Sequence, residues 1–319
     1  MAAAESEKKP SVLVMMATYN GEKYVAEQIE SILNQEGVNV SLLVSDDCST
    51  DNTVAICREL AKQDNRIQVE EHSENVGVTL NFMNMVYGAD STGFDFFAFS
   101  DQDDYWLPEK LISAVRVIEA KEDGPYLYYS DILNVDGNLK GDKSEYRSFA
   151  PFAGSLKLLF TMNWALGCTM VFNASFLDLL QLYRPPTWPR IHDVWVHLVA
   201  LSCGCVVPDL NNAYILRRLT GENVVGAKEW GRVGFKRLLL STADFLSRRG
   251  DHYSVEAAEN LLRGYSTRMP GGNRLAVEDF INGSKTFVGR IRLAFDKDFK
   301  GPYPNENYLY SIKMLLNFY

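Results

Sequence analysis

A dense acidic segment, Asp101-Gln102-Asp103-Asp104, carries the clearest chemical potential in this sequence. It directly follows an apolar run, so its carboxylates cannot all be solvated far from one another. Carboxylates held this close repel each other unless a cation joins them. Oxygen ligands favour Mg²⁺ or Mn²⁺, which can bridge to substrate phosphates. The alternative is a solvated acidic turn that caps the next helix, and the segment alone is more typical of that turn.

Two further polar clusters, Thr18-Tyr19-Asn20 and Asp46-Asp47, also follow apolar runs. A carboxylate such as Asp47 could accept from a pyrimidine imide or from ribose hydroxyls. Asp46 could instead serve only as a turn and helix cap, and Tyr19 could stack on a base or be an exposed loop residue. The three clusters together favour a metal and ligand site over a set of caps.

The spacing of apolar residues indicates which elements position these clusters. Apolar runs predict strands at 11–17, 38–44, 67–71 and 94–99. Helical periodicity predicts helices at 24–35, from the Ser49-Thr50-Asp51 cap to 61, and at 79–88. Strand and helix alternate four times, which implies a parallel sheet covered on both faces. Ligands bind beyond the carboxyl ends of such strands, where all three clusters lie.

The rest of the chain is less regular. We predict a helix at 109–121, a strand at 126–130, a polar loop at 131–160, a strand at 163–173 and an amphipathic helix at 192–201. Beyond about residue 226 the sequence is rich in Arg and Leu, with helices at 230–249 and 254–264. These helices could contact a membrane surface or a partner helix, or simply pack in a core. We therefore predict a disordered segment at 1–10, a ligand-binding and catalytic domain at 11–225 and a helical region at 226–319.

Two further motifs admit a chemical and a structural interpretation. Asp193 follows His192 at the start of a predicted helix, where a carboxylate is usually a cap but could be a general base. Gly167-Cys168-Thr169 could bring backbone close to a ligand or could be a tight bend. Cys168 has no histidine near it in sequence, so we do not interpret it as a nucleophile.

Composition narrows the classes of protein. The chain has 319 residues, 46% of them hydrophobic, and a net charge of −9, which argues against a nucleic-acid binder. Its five cysteines form no CxxC pair and are expected to be free thiols in a reducing compartment. The first ten residues lack the apolar core of a signal peptide, and the longest apolar stretch, 194–208, is too short to span a bilayer. We expect a cytoplasmic protein.

Six ordered motifs resemble one family. They begin at Ala17-Thr18-Tyr19-Asn20-Gly21 and Ser45-Asp46-Asp47-Cys48-Ser49-Thr50-Asp51, continue through Asn75-Val76-Gly77 with Asn81-Phe82, and extend from Ser100 to Pro108. Gly167-Cys168-Thr169-Met170 and His192-Asp193-Val194-Trp195 complete the set. The chain resembles the inverting family 2 glycosyltransferases of the GT-A fold, and among them the bacterial rhamnosyltransferase-like polysaccharide enzymes. The likeness covers 11–226.

The resemblance implies a fold, cofactors and residue roles. It implies a Rossmann-like, mostly parallel sheet flanked by helices, with a C-terminal helical extension. A UDP- or dTDP-hexose donor, with dTDP-rhamnose as the first candidate, would bind with Mn²⁺ or Mg²⁺. The acceptor would be an oligosaccharide or a lipid-linked surface glycan such as O-antigen or capsule. Tyr19 and Asp47 would hold the pyrimidine, Asn75 and Asn81 would line the donor pocket, and Thr18 and Gln102 would belong to the same site. Asp101 and Asp103 would form the DXD pair on the metal, and Asp193 would be the catalytic base.

The sequence departs from the family at one loop. The family often shows Tyr-Arg-Gln-His before an Asn-Val pair, whereas Thr220 stands in the histidine's place here. Arg217 or Arg218 could supply the charge to the leaving diphosphate instead. Two other classes of protein are alternatives. A nucleotidyltransferase would carry a Gly-rich basic loop near the N-terminus, and a non-catalytic carbohydrate- or nucleotide-binding protein would not need the whole acidic set. Peripheral contact with the inner membrane face and a homodimer through the C-terminal helices are further expectations.

Overall fold

The computed structural model describes residues 8–188, 191–219 and 252–318. The chain divides into two compact units. The sheet unit comprises Met1–Glu145, Leu166–Gln181 and Val207–Arg218, and the helical unit comprises Tyr146–Ala165, Leu182–Val206 and Leu219–Tyr319. The predicted boundary between residues 225 and 226 lies outside the described residues, so the division at that point stays a prediction. The same holds for most of the predicted disordered segment at 1–10.

The first half of the sheet unit alternates strand and helix as the sequence predicts. Short apolar runs form the strands, and each is followed by a helix whose apolar face packs inward. In chain order the elements are β1 (Ser11–Thr18), α1 (Val25–Leu33), β2 (Asn39–Asp46), α2 (Thr53–Gln63), β3 (Ile67–Glu71), α3 (Val78–Gly88) and β4 (Phe96–Ser100). All five residues of β4 are buried, as expected for a central strand with both faces covered.

The second half of the sheet unit contains five more strands and two helices. These are β5 (Tyr105–Trp106), α4 (Lys110–Glu119), β6 (Leu127–Val135), β7 (Lys143–Ser144), β8 (Val171–Asn173), α6 (Ala174–Gln181) and β9 (Val206–Arg218). The predicted loop at 131–160 is therefore wrong in its first part, because β6 continues to Val135 with nearly every side chain buried. The predicted strand at 163–173 is also wrong over most of its length. A 3₁₀ turn at Gly167–Thr169 interrupts it, and only Val171–Asn173 pairs.

The strands form one mixed sheet with the order β3-β2-β1-β4-β8-β6-β9-β5, and β7 pairs with β6. The pairs β1–β2, β1–β4 and β2–β3 are parallel, which confirms the sequence prediction for this part. The pairs β4–β8, β6–β8 and β5–β9 are antiparallel, so the sheet is mixed beyond β4. Strands β5, β7 and β9 were not predicted from the sequence.

In the described part of the chain, the helical unit contains six α-helices. They are α5 (Leu156–Leu159), α7 (His192–Cys203), α8 (Tyr253–Tyr265), α9 (Gly271–Ser284), α10 (Phe287–Phe295) and α11 (Pro304–Leu315). The predicted helix at 254–264 is confirmed by α8, whereas the one at 230–249 lies outside the described residues. The amphipathic character predicted for 192–201 is wrong, since every residue from His192 to Ser202 is buried. No helix in the described part of the chain is long and apolar enough to cross a membrane.

Candidate active site

The carboxyl ends of β1, β2 and β4 lie side by side at one edge of the sheet. The parallel register sets Thr18 opposite Asp46, and Met16 opposite Ser100. The residues that follow each strand therefore emerge next to one another, as the sequence predicts. This edge is where parallel sheets bind ligands, since the loops there leave the sheet together.

Asp46 organises the turn after β2. Its buried carboxylate accepts hydrogen bonds from the Thr18 hydroxyl at 2.8 Å, the Ser49 amide at 2.7 Å and the Ser49 hydroxyl at 2.6 Å. Three short bonds use most of the acceptor capacity of a carboxylate. These bonds give Asp46 the turn-forming role that the sequence left open. The same carboxylate also holds the Thr18 hydroxyl at the end of β1.

Asp47 ties the end of β2 to the start of α3. Its carboxylate accepts from the Val76 amide at 2.7 Å and the Gly77 amide at 2.8 Å, and the Asn75 side chain donates to its backbone oxygen at 3.0 Å. A carboxylate offers about four lone-pair sites, so two amide bonds leave capacity for a ligand. Contact of Asp47 or Asn75 with a nucleotide stays a prediction. The hydrogen bonds described above fix the positions of both residues.

Asn81 on α3 is buried, and its side-chain amide has partners inside the sheet unit. Its nitrogen donates to the Ser45 carbonyl at 2.9 Å, and its oxygen lies 3.1 Å from the His72 ring nitrogen. A buried amide with both ends paired stabilises the packing of α3 against β2. The predicted role of Asn81 in lining a donor pocket is not tested by these contacts and stays a prediction.

Gln102 joins the loop after β1 to the acidic segment after β4. Its side-chain amide accepts from the Tyr19 amide and donates to the Tyr19 carbonyl, both at 2.9 Å. An added Cβ at Gly21 would lie 2.2 Å from the Gln102 oxygen, so glycine is required for this bridge. The Tyr19 residue remains 48% exposed, so its ring is available to a ligand.

The acidic segment brings Asp101 and Asp104 together with Cys168. One ligand atom from each of these residues lies within 4.8 Å of the other two. Of the predicted metal pair, Asp101 belongs to this cluster and Asp103 does not, whereas Asp104 and Cys168 were not predicted as ligands from the sequence. Asp104 is 1% exposed, and its Oδ2 atom has no hydrogen-bond partner among the described residues. A buried carboxylate oxygen without a partner is unfavourable, and a cation would relieve that cost.

Burial and mutual repulsion dominate the electrostatics of this segment. Burial, together with the charge of Asp103, raises the pKa of Asp101 to about 6. Burial also raises the pKa of Asp103, and it raises that of Asp104 well above the usual range, with Asp101 and Asp103 contributing. Arg217, at the end of β9, opposes the rise of the pKa at all three aspartates. The sequence analysis offered Arg217 only as a substitute contact for a diphosphate.

Lys110 is a second buried cation near these acids, and the sequence analysis missed it. It is the first residue of α4, is 1% exposed, and its Nζ lies 3.6 Å from the centre of the Trp106 ring. Burial lowers its pKa to about 7, while Cys168 and Asp104 act in the opposite direction. The sequence carried no signal for this arrangement, because a lysine at the start of an amphipathic helix normally faces solvent.

Arg218 lies beneath the acidic segment and is 1% exposed. Its guanidinium donates to the backbone oxygens of Asp103 at 3.1 Å and Asp104 at 3.0 Å, and it forms an ion pair with Glu27 on α1. The guanidinium also stacks 4.7 Å from the Tyr24 ring centre. These contacts make Arg218 a clamp on the acidic loop, and its predicted contact with a diphosphate stays a prediction. Thr220 lies outside the described residues.

Asp193 and His192 belong to the helical unit, where they begin α7. Asp193 is buried in the first turn of α7, and its carboxylate accepts from the amide of the next residue, Val194, at 2.5 Å, while the N-cap residue Ile191 forms no side-chain cap. Burial lowers the pKa of His192 to about 3, so the imidazole is neutral at ordinary pH. The contact with Val194 is compatible with either interpretation of Asp193, and its role as a base stays a prediction.

The donor set of the acidic segment fits a hard divalent cation. Three aspartates in four residues supply the oxygen ligands that Mg²⁺ and Mn²⁺ prefer, and buried Asp104 retains an oxygen without a partner among the described residues. The nearby Cys168 thiol is buried, which raises its pKa far above neutrality, so it is a poor thiolate ligand and a poor nucleophile. The expectation that Cys168 is not a nucleophile agrees with this burial.

The sheet unit is an open α/β sheet whose carboxylates gather beyond the carboxyl ends of its parallel strands, where sheets of this class bind ligands. The sequence model of glycosyl transferase family 2 matches residues 13–177, slightly more than half of the chain. The chain belongs to glycosyl transferase family 2.

Curated relatives agree with this family. The chain is 41% identical over 102 residues to the dTDP-rhamnosyl transferase RfbG of Shigella flexneri. The aligned residues cover 31% of this chain and 35% of RfbG. It is 34% identical over 103 residues to the putative teichuronic acid biosynthesis glycosyltransferase TuaG of Bacillus subtilis. The aligned residues cover 32% of this chain and 40% of TuaG. The chain thus matches only about a third of the length of the first of these relatives.

Solved structures share the fold. A structure of S. aureus TarS 1–349 in complex with UDP-GlcNAc superposes with a TM-score of 0.54 at 16% identity, covering 96% of this chain and 90% of that one. The mannosyltransferase PcManGT from Pyrobaculum calidifontis, in complex with GDP-Man and Mn²⁺, gives a TM-score of 0.53 at 14% identity, covering 98% and 88%. At these identities the likeness concerns the fold, and it confirms the GT-A class predicted from sequence.

Proposed function

We propose that this protein transfers a hexose from a nucleotide-sugar to a hydroxyl group of a surface-glycan acceptor, with inversion at the anomeric carbon. The observation that carries the proposal is the acidic segment at the parallel edge of the sheet in a family 2 chain, where Asp104 is buried and Asp101 and Asp103 are half-buried. The likeness to RfbG supports dTDP-rhamnose as the first donor to test, and UDP-hexoses as the second. TuaG, whose name assigns it to teichuronic acid biosynthesis, supports a polysaccharide acceptor, and O-antigen or capsule is the surface glycan that we propose.

Asp101 and Asp103 would hold Mn²⁺ or Mg²⁺, with Asp104 buried behind them. A divalent ion supplies charge neutralisation for the diphosphate, which makes it a better leaving group. The neighbour crystallised with GDP-Man and Mn²⁺ supports a metal for this fold. The exposed Tyr19 ring and the remaining acceptor capacity of Asp47 would bind the base, and Thr18, Asn75, Asn81 and Gln102 would hold the loops around it.

Asp193 would act as the general base. Its carboxylate takes the proton of the acceptor hydroxyl while the oxygen attacks the anomeric carbon and the bond to the diphosphate oxygen breaks. The electron pair leaves with the nucleoside diphosphate, and an oxocarbenium-like transition state is expected, as in other glycosyl chemistry. One displacement of this kind inverts the anomeric configuration and needs no covalent intermediate.

The substitution Asp193→Asn tests the base directly. Asparagine keeps an oxygen that can accept from the Val194 amide, so the start of α7 is preserved while the proton acceptor is removed. We expect kcat to fall by about 10²–10⁴-fold with donor binding unchanged, as for loss of a general base. Glu256→Gln is the matched control, because it neutralises another first-turn acid, on α8. Wild-type turnover by Asp193→Asn would leave Asp193 as a helix cap and remove it from the mechanism.

A further inference from the structure

Arg217 is a buried cation beside the acidic segment. Strand β9 pairs antiparallel with β5 through Leu216 opposite Tyr105, and this register, continued by one residue, places Arg217 opposite Asp104. The Arg217 side chain is 5% exposed, so little water screens its charge. That charge lowers the pKa of all three aspartates of the segment. A fixed cation that favours these carboxylates also opposes a second cation that would bind them.

Glu145 forms an ion pair with Arg217. Its Oε2 atom lies 3.6 Å from a guanidinium nitrogen of Arg217, and its side chain is 3% exposed. The side-chain nitrogen of Asn134 donates to the same Oε2 atom at 2.5 Å. A guanidinium does not lose its proton in a protein, so only a neighbouring acid can offset its charge. Glu145 therefore faces the same cation that acts on the acidic segment.

The short strand β7 fixes the position of Glu145. Ser144, the last residue of β7, pairs with Leu133 on β6. The Glu145 amide donates to Oδ1 of Asp131 at 3.3 Å, and the Ser144 hydroxyl donates to the other oxygen of that carboxylate. Asp131 is fully buried. Glu145 is thus held by backbone and side-chain bonds within the sheet unit, to which Arg217 and the acidic segment also belong.

We propose that Glu145 is a positioning residue that sets the affinity of the acidic segment for a divalent cation, by offsetting the charge of Arg217. The inference rests on the proposed function, in which Asp101 and Asp103 hold Mn²⁺ or Mg²⁺. With Glu145 in place, the negative charge of the segment is available to the metal. Without it, the unopposed guanidinium occupies part of that charge, and the metal must bind against a nearby cation.

Titration calorimetry of the full chain with Mn²⁺ alone, in the absence of any nucleotide-sugar, tests the inference. Glu145→Gln should weaken Mn²⁺ binding by at least about threefold, because it removes the charge that offsets Arg217. The glutamine keeps an oxygen that can accept from Asn134. Glu145→Asp keeps the charge and should bind Mn²⁺ more tightly than Glu145→Gln. Glu59→Gln is the matched control, because it neutralises the acid of an exposed ion pair with Lys62 and should bind as wild type.

Two further variants show whether the effect passes through Arg217. Arg217→Gln should tighten Mn²⁺ binding by at least about threefold, a change of opposite sign that can be measured even if Glu145→Gln does not fold. The double variant Glu145→Gln with Arg217→Gln should return to within about threefold of wild type. A double variant that binds as weakly as Glu145→Gln would overturn the inference, and so would wild-type affinity in Arg217→Gln.

Thermal unfolding of the metal-free variants accompanies the titrations. A purely structural role of Glu145 would lower the Tm of Glu145→Gln while the folded protein binds Mn²⁺ as wild type does, and that result would overturn the inference and leave the transferase standing. Absence of Mn²⁺ binding by wild type would contradict the proposed metal as well as the role of Glu145.

Discussion

Replacement of Arg218 by alanine removes the clamp beneath the acidic loop. The guanidinium donates to two backbone oxygens, those of Asp103 and Asp104, and both would lose this partner. Hydrogen bonds from a charged donor contribute about 1.5–3 kcal/mol each, so loss of the two bonds should lower the free energy of unfolding by about 3–6 kcal/mol. The Glu27 side chain is 47% exposed and can rehydrate, so its lost ion pair adds little.

The two roles considered for Arg218 predict different results. A residue that only contacts the leaving diphosphate would raise the donor KM or lower kcat while the ligand-free protein stays as stable as wild type. A clamp destabilises the ligand-free protein and impairs metal and donor binding together. Arg218→Lys keeps the charge but not the planar fork that reaches both carbonyls, so it should recover only part of the lost stability.

The assay is urea unfolding of the ligand-free protein, followed by steady-state release of nucleoside diphosphate. Arg58→Ala is the control, because Arg58 forms an exposed ion pair with Glu71 and its loss should cost about 1 kcal/mol or less. A wild-type unfolding midpoint for Arg218→Ala would refute the clamp. Unchanged turnover would refute a part in stabilising the leaving group.

Further predictions concern the bridge, the metal and low pH. Gly21→Ala should displace the Gln102 side-chain amide, which hydrogen-bonds to the Tyr19 backbone, and so lower donor affinity in titration calorimetry. Equal affinity would show that the bridge between Gln102 and Tyr19 does not order this loop. Because a ligand carboxyl must be ionised to bind metal, and the pKa of Asp101 is about 6, the rise in Tm given by Mn²⁺ should shrink between pH 7.5 and 5.5. Without metal the sign reverses: Asp101 takes up a proton on folding, so its contribution to stability falls as pH rises from about 4 to 6. Burial lowers the pKa of His192 and His197 to about 3, so the unfolded state binds more protons below pH 6.5 and stability should fall as pH drops to 5, by about 2 kcal/mol per histidine. His197→Gln should reduce that pH dependence in urea unfolding, and an unchanged dependence would contradict burial of a neutral ring.

The early sheet was predictable because its strands are short apolar runs that end in polar turns. β1, β2, β3 and β4 each occupy such a run, and parallel pairing follows from the helices between them. The long strand β9 was not predictable, because five polar residues interrupt the apolar ones in Val206–Arg218 and the alternation is only partial. Its position depends on pairing with β5, a contact that no local pattern encodes.

The residues of the acidic segment could be selected from sequence, but their electrostatic partners could not. Asp101 and Asp103 stand out because three of the four residues 101–104 are aspartates. Lys110 and Arg217, in contrast, come from elements whose burial depends on tertiary packing. Asp46 and Asp47 adjoin each other in sequence but serve different partners, because one side chain points to Ser49 and the other to the start of α3. Only the three-dimensional arrangement separates these roles.

The most direct test of the central claim is a thermal-shift and hydrolysis screen of nucleotide-sugars with and without Mn²⁺, on wild type and Asp193→Asn. The proposed function predicts that one dTDP- or UDP-sugar stabilises both proteins only when metal is present, and that only wild type hydrolyses or transfers it. Absence of metal-dependent stabilisation by every nucleotide-sugar would contradict the transferase, and the carboxylates at the sheet edge would then be structural caps.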